Sequence, residues 1–163
     1  MRNDRIPAWA LCAAAGASLA TLSQALAIDF TWIGSSRRGG DGVSFTDPLN
    51  WSPKGVPGIG DAAIFSPVGG NIMMPGGLVA IDRLRAGGGP LDELFVSIDL
   101  DSGLLRLLSP DQEGNNRSLL VGPPETTAFL GFTNGTVQAD AIGLGTGIES
   151  LGVLDIGSDA LLS

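Results

Sequence analysis

Apolar and polar residues alternate in short stretches along the second half of the chain. Val96-Ser97-Ile98-Asp99-Leu100 alternates cleanly, and Leu154-Asp155-Ile156 does so over a shorter stretch. A period of two puts successive side chains on opposite faces of a strand, one face buried and one wet. No stretch carries the three-to-four spacing of an amphipathic helix. Gly, Asn, Asp and Pro separate the runs and supply turn conformations that other residues reach at a cost. The pattern predicts an all-β chain with many turns.

The alternation also repeats. Residues 128–137 align with residues 152–161 at an offset of 24: Phe129 meets Val153, Leu130 meets Leu154, Phe132 meets Ile156 and Val137 meets Leu161. Upstream, Val121-Gly122 aligns with Leu144-Gly145 at an offset of 23. A weaker copy sets Leu104-Leu105-Arg106-Leu107 on Phe129 to Phe132 at an offset of 25, which makes residues 95–100 the partner of residues 119–122. Short strands and turns with a period in the twenties predict a β-solenoid, in which stacked coils bury equivalent residues in one core. Leu105, Leu107, Leu130, Phe132, Leu154 and Ile156 would then point inward, and Arg106, Gly131 and Asp155 outward. The competing arrangement is an antiparallel β-sandwich with coincidental spacing.

The first residues differ from the rest. Arg2 and Arg5 precede an apolar run over residues 6–22, which closes on Ala25-Leu26-Ala27. Basic, apolar and small residues in that order predict a secretory signal peptide cleaved after Ala27. A membrane anchor would need about 20 predominantly apolar residues, and this run is interrupted by Gly16, Ser18, Thr21 and Ser23. Cys12 follows Trp9-Ala10-Leu11 rather than small residues, so it reads as an ordinary apolar residue of the signal, not a lipid-attachment site. The remainder divides into an aromatic, turn-rich segment over residues 28–77, with Trp32, Trp51, Phe30, Phe45 and Phe65, and a repeat region over residues 78–163.

Composition narrows the chemistry. The mature chain has no cysteine and the whole chain no histidine. That removes an intrachain disulfide, a Ser-His-Asp triad, a Cys-His pair and histidine-based metal sites; no cofactor is expected. The chain carries 9 basic and 17 acidic residues, a net charge of −8. Without Arg2, Arg5 and Asp4 the mature part has 7 basic and 16 acidic residues, or −9. Such a protein repels nucleic acid and anionic membranes, so neither is expected as a partner, and no membrane insertion of the mature chain is expected.

Three stretches carry a resemblance: Trp32-Ile33-Gly34, then Phe45-Thr46-Asp47-Pro48-Leu49-Asn50-Trp51-Ser52, then Val56-Pro57-Gly58-Ile59-Gly60-Asp61-Ala62-Ala63-Ile64-Phe65. Together they resemble the opening of autotransporter-like passengers and related bacterial surface proteins built from β-strand repeats. Residues 154–161 are similar to the repeats that follow that opening. The resemblance implies a right-handed parallel β-helix, secreted or displayed at the cell surface, with an adhesion, matrix or scaffold role rather than catalysis. It supplies no catalytic residues. Such proteins are much longer and end in a membrane barrel or sorting tail, whereas this sequence stops at Ser163 inside a repeat. The expectation is either a fragment of a longer reading frame, without independent function, or an open final coil that associates with itself or another chain.

The remaining candidates are structural or chemical. Trp32 and Trp51 are expected to cover the first coil, and Asp61 to accept hydrogen bonds from the Pro57-Gly58 turn. Asp99 and Asp101 flank Leu100 and would share a face if the strand continues. Paired carboxylates can act as acid and base in glycoside cleavage, and many parallel β-helices degrade polysaccharides. A carbohydrate-active or carbohydrate-binding β-helix is therefore the alternative function, with a solvated outer face the simpler reading of the pair. Asp41, in Gly39-Gly40-Asp41-Gly42, resembles one unit of a calcium-binding repeat; a single copy reads better as a turn. Arg37-Arg38 reads as a solvated loop. Asn50-Trp51-Ser52, Asn116-Arg117-Ser118 and Asn134-Gly135-Thr136 fit the glycosylation pattern, and Asn134-Gly135 is expected to be a turn between strands.

Overall fold

A computed structural model describes residues 27–36, 39–88, 93–108, 117–147 and 149–163. Residues 1–26 of the expected leader (residues 1–27), Arg37-Arg38, and Asn116 of one glycosylation pattern lie outside the described residues. Strand dominates. Twelve strands are described: β1 (Asp29–Trp32), β2 (Trp51–Ser52), β3 (Ala62–Phe65), β4 (Gly70–Met73), β5 (Leu78–Ile81), β6 (Arg83–Ala86), β7 (Leu94–Leu107), β8 (Leu119–Val121), β9 (Thr127–Ala139), β10 (Ile142–Leu144), β11 (Leu151–Ile156) and β12 (Ala160–Leu162). Two single 3₁₀ turns, Gly34–Ser36 and Pro48–Asn50, are the described helical pieces. No described helix is long and apolar enough to cross a membrane.

The strands form two sheets. The first has the order β10-β8-β6-β3-β1-β2; the second runs β11-β9-β7-β4, with β12 also on β9 and β5 also on β7. Every strand pairing is parallel except β1 with β2. Parallel neighbours need a crossover rather than a hairpin, and here the chain alternates between the sheets. The two sheets share one core. Trp32, Phe65, Leu84, Leu119 and Val121 enter it from the first, and Ile72, Val96, Ile98, Leu105, Leu130 and Phe132 from the second. Sheets and core pass without a break from residues 28–77 into residues 78–163.

Strand register shows which of the sequence offsets correspond to paired strands. β9 and β11 pair from Thr127↔Leu151 to Phe132↔Ile156, the offset of 24. β8 and β10 pair as Leu119↔Ile142 to Leu144↔Val121, the offset of 23. The weaker copy is not in register. Leu104 lies beside Thr136 and Phe95 beside Phe129, while Leu119 neighbours Leu84. The expected pairing of residues 95–100 with residues 119–122 is thus corrected: these stretches belong to different sheets. Val137 pairs with Leu162, not Leu161. Leu105, Leu107, Leu130 and Phe132 are buried, whereas Leu154 and Ile156 are half-buried and pack on the core margin.

The weaker copy fails because β7 precedes β9 by 34 residues at Phe95 and 32 at Leu104, not 25. A bulge accounts for the change between those two values. In β7 the buried residues are Leu94, Val96, Ile98 and Leu100, then Gly103, Leu105 and Leu107. The alternation changes parity at Asp101 and Ser102, both with positive φ (45° and 61°). Asp99 pairs with Thr133 and Gly103 with Gly135, so β7 uses four steps where β9 uses two. Extra residues in one strand bend it and shift register. Asn134 (φ 55°) sits inside β9 opposite this bulge. It is not a turn between strands, because β9 runs on past it.

Candidate functional site

The aromatic segment covers β1 of the first sheet and β4 of the second. β2 pairs with β1 through Thr31↔Ser52 and Trp32↔Trp51 and forms the outer strand of the first sheet. On the second sheet, residues 43–45 lie along β4: the Phe45 N–H donates to Met73 O at 2.9 Å, and the Met73 N–H to Val43 O at 2.9 Å. Trp32 and Trp51 are both buried and meet edge to face, 4.9 Å between centroids at 80°. Phe45 lies 5.1 Å from Trp51, and Phe65 lies 5.8 and 5.7 Å from Trp32 and Trp51. The Trp51 Nε1–H donates to Phe45 O at 2.8 Å, so the indole is buried without leaving its donor unmet.

A polar knot holds this cover in shape. The Asp41 Oδ1 accepts from the N–H groups of Val43 (2.9 Å) and Ser44 (2.8 Å) and from Asn50 Nδ2 (2.7 Å). Those three donors hold the Asp41 carboxyl below its ordinary value, the Val43 N–H contributing most. Asp47 accepts from the Asp41 N–H and caps the Pro48–Asn50 turn through the Leu49 N–H. Buried Asn50 also accepts from the Gly42 N–H and donates to Ser44 O. Asp41 is therefore the acceptor of a turn. No group of three His, Cys, Asp or Glu side chains placed to hold a metal occurs among the described residues.

Asp61 sits just before β3 and joins two segments. Its Oδ2 accepts from the Gly58 N–H at 3.0 Å, in the turn expected from sequence, and its Oδ1 from the Ile28 N–H at 3.1 Å. Asp82, just before β6, repeats the device by accepting from the Gly60 N–H at 3.0 Å.

Asp99 and Asp101 come together in a solvent-open depression of about 480 Å³, beside Ser102, Asn134, Thr136 and Asp159. The strand does not continue regularly between them. The Asp99 Oδ1 accepts from the Asp101 N–H (3.0 Å) and from Asn134 Nδ2 (3.1 Å), so this carboxylate ties the bulge of β7 to β9. Asp101 is exposed. Neither carboxyl lies in the apolar pocket that sets a general acid apart from its partner. Of the glycosylation patterns, Asn50 is buried with its amide satisfied, while Asn134 is exposed.

Sequence reasoning missed Asp47, Asn50 and Asp82. Asp47-Pro48 was readable, since Asp before Pro is a common start of a helical turn. Asp82 follows Asp61 at the β3–β6 offset of 21, which only the register reveals. No family model matches the chain, and no curated protein or solved structure matches it either.

Proposed function

We propose that the chain is the capped opening of an exported β-solenoid and acts as a structural or adhesive module at the cell surface or in the extracellular matrix. The observation that carries this reading is the ladder of parallel strands in both sheets, whose inward residues fall into register from coil to coil. The aromatic cover on one side supports it, because a stack of coils needs an atypical terminal unit. The basic, apolar and small order of residues 1–27 supports export. The bound role of Asp99 weighs against the carbohydrate-active alternative.

The test combines mass measurement with an activity screen. Expressed with its leader, the exported chain should begin at Ile28, give a β-type circular dichroism spectrum, and turn over no substrate in a polysaccharide panel. An exported chain that keeps Met1 would undo the leader. Turnover abolished by Asp99→Asn or Asp101→Asn would replace the structural reading with the enzymatic one.

A further inference from the structure

Seven basic residues follow residue 27, and three of them line one small pocket. Arg83 and Arg85 leave the same face of β6, since buried Leu84 between them points into the core. Arg117 enters from the residue pair preceding β8, the neighbouring strand. Ile64 and Leu120 supply apolar walls, and Asp29 stands at the rim. The volume is about 100 Å³, room for one small group and not for a polymer backbone.

Two glycines make space for the guanidiniums. A Cβ at Gly88 would lie 2.5 Å from Arg85 Nη2, and one at Gly143 would lie 2.8 Å from Arg117 Nε. The Arg85 Nε is buried and has no hydrogen-bond partner among the described residues. A buried donor left unmet is costly, and a guanidinium is shaped for an oxyanion. Arg83 reaches Asp29 at 3.5 Å, but the side chains are 29% and 63% exposed, so solvent screens that pair. Among the described residues that line it, the pocket sets Arg85 and Arg117 beside the Arg83–Asp29 pair, on a chain of net charge −8. That contrast favours a compact anion, because the surrounding acidic surface repels a polyanion.

The geometry points to a binding site for a single oxyanion group, a carboxylate, sulfate or phosphate, held by Arg85 and Arg117 with Arg83 shared with Asp29. The experiment titrates the full chain with glucuronate, inorganic sulfate and inorganic phosphate in separate arms, following the arginine Nε–Hε resonances by NMR. Saturable binding in at least one arm is expected, with Arg85 among the resonances that move. Saturation by glucuronate alone assigns a sugar-borne carboxylate; saturation by sulfate or phosphate assigns the inorganic group. Arg85→Gln and Arg117→Gln should each weaken binding about tenfold or more, as loss of a charge-assisted hydrogen bond does. Asp29→Asn should tighten it, because the competing carboxylate is gone. A circular dichroism spectrum identical to the parent's checks each fold, and Arg117→Gln carries the test if Arg85→Gln does not fold. Absence of saturation in all three arms, or binding unchanged in the folded arginine variants, or weakened by Asp29→Asn, would overturn the site.

Discussion

Asp61 shows how much one carboxylate settles in a chain with few regular turns. Its two oxygens tie Gly58 and Ile28 to the start of β3. If the leader is removed after Ala27, the Ile28 nitrogen becomes an ammonium facing that carboxylate. A partner of opposite charge raises the pKa of an amine above its unfolded value, about 7.7–8.0 for an α-amino group. The stabilisation is then complete below that value and fades as pH rises through the higher folded one. Denaturant titrations of the exported form should lose up to about 1 kcal/mol on that alkaline side, given the exposure of the pair, and Asp61→Asn should flatten the loss. The Asp41 knot runs the other way. Its carboxyl is held low, so its contribution is present above the ordinary value of 3.8 and is lost as pH falls through the depressed one. Asn50→Ala removes one of the three donors and strands buried groups. It should move the Asp41 midpoint upward by NMR and cost about 1–3 kcal/mol in denaturant. The Gly58 bond of Asp61 and the turn role of Asp41 were legible because those partners lie two or three residues away; the tie from Asp61 to Ile28, 33 residues off, was not. Asn50 was not, since the groups it satisfies lie six to nine residues back and share no periodic pattern with it.

The long strands β7 and β9 each carry a break in parity at matching places. Gly135 allows it: a Cβ there would meet Leu100 Cβ at 2.5 Å and Gly103 O at 2.6 Å. Gly131, four residues earlier in β9, is open, with its nearest neighbour at 4.0 Å. The two glycines make a controlled comparison. Gly135→Ala should cost about 1–3 kcal/mol by overpacking the bulge, while Gly131→Ala should stay within about 0.5 kcal/mol, both read from denaturant midpoints. The contrast also explains what the sequence could tell. Strand character in Val96 to Leu100 was visible because alternation is local. The bulge was not, because Asp101 and Ser102 look like any turn residues, and an uncounted insertion shifts every later alignment. The offset of 25 failed for a different reason: β7 precedes its β9 partners by 34 residues before the bulge and 32 after it, because eleven residues separate β7 from β8 where two separate β9 from β10. The offset of 23 held, and that of 24 held only as far as the break at Asn134. Beside the bulge Asp99 meets Asn134, a contact that no fixed offset contains.

Across the whole molecule the two sides of the strand stack are unlike. One is covered by β2 and residues 43–45 over four packed aromatic rings. On the other, β10, β11 and β12 are outer strands among the described residues. Leu144, Leu151, Leu161 and Leu162 stand there between 40% and 69% exposed. The burial of Trp32 and Trp51 was readable from their apolar bulk; which strands lie outermost was not, since exposure depends on which strand has a neighbour. An outer strand offers unpaired N–H and C=O groups and invites pairing with another chain, and lysine on such an edge discourages it. Among the described residues the covered side leaves only the short strands β2 and β5 at its edge, so association would join the longer open sides to each other, a closed two-fold contact rather than a growing filament. Sedimentation of the chain should therefore show a concentration-dependent dimer without larger species. Leu151→Lys with Leu161→Lys should shift it to monomer while leaving the circular dichroism spectrum unchanged, since both side chains already face solvent. Open-ended assemblies would contradict the cover on the β2 side, and a dimer untouched by the lysines would place the contact elsewhere.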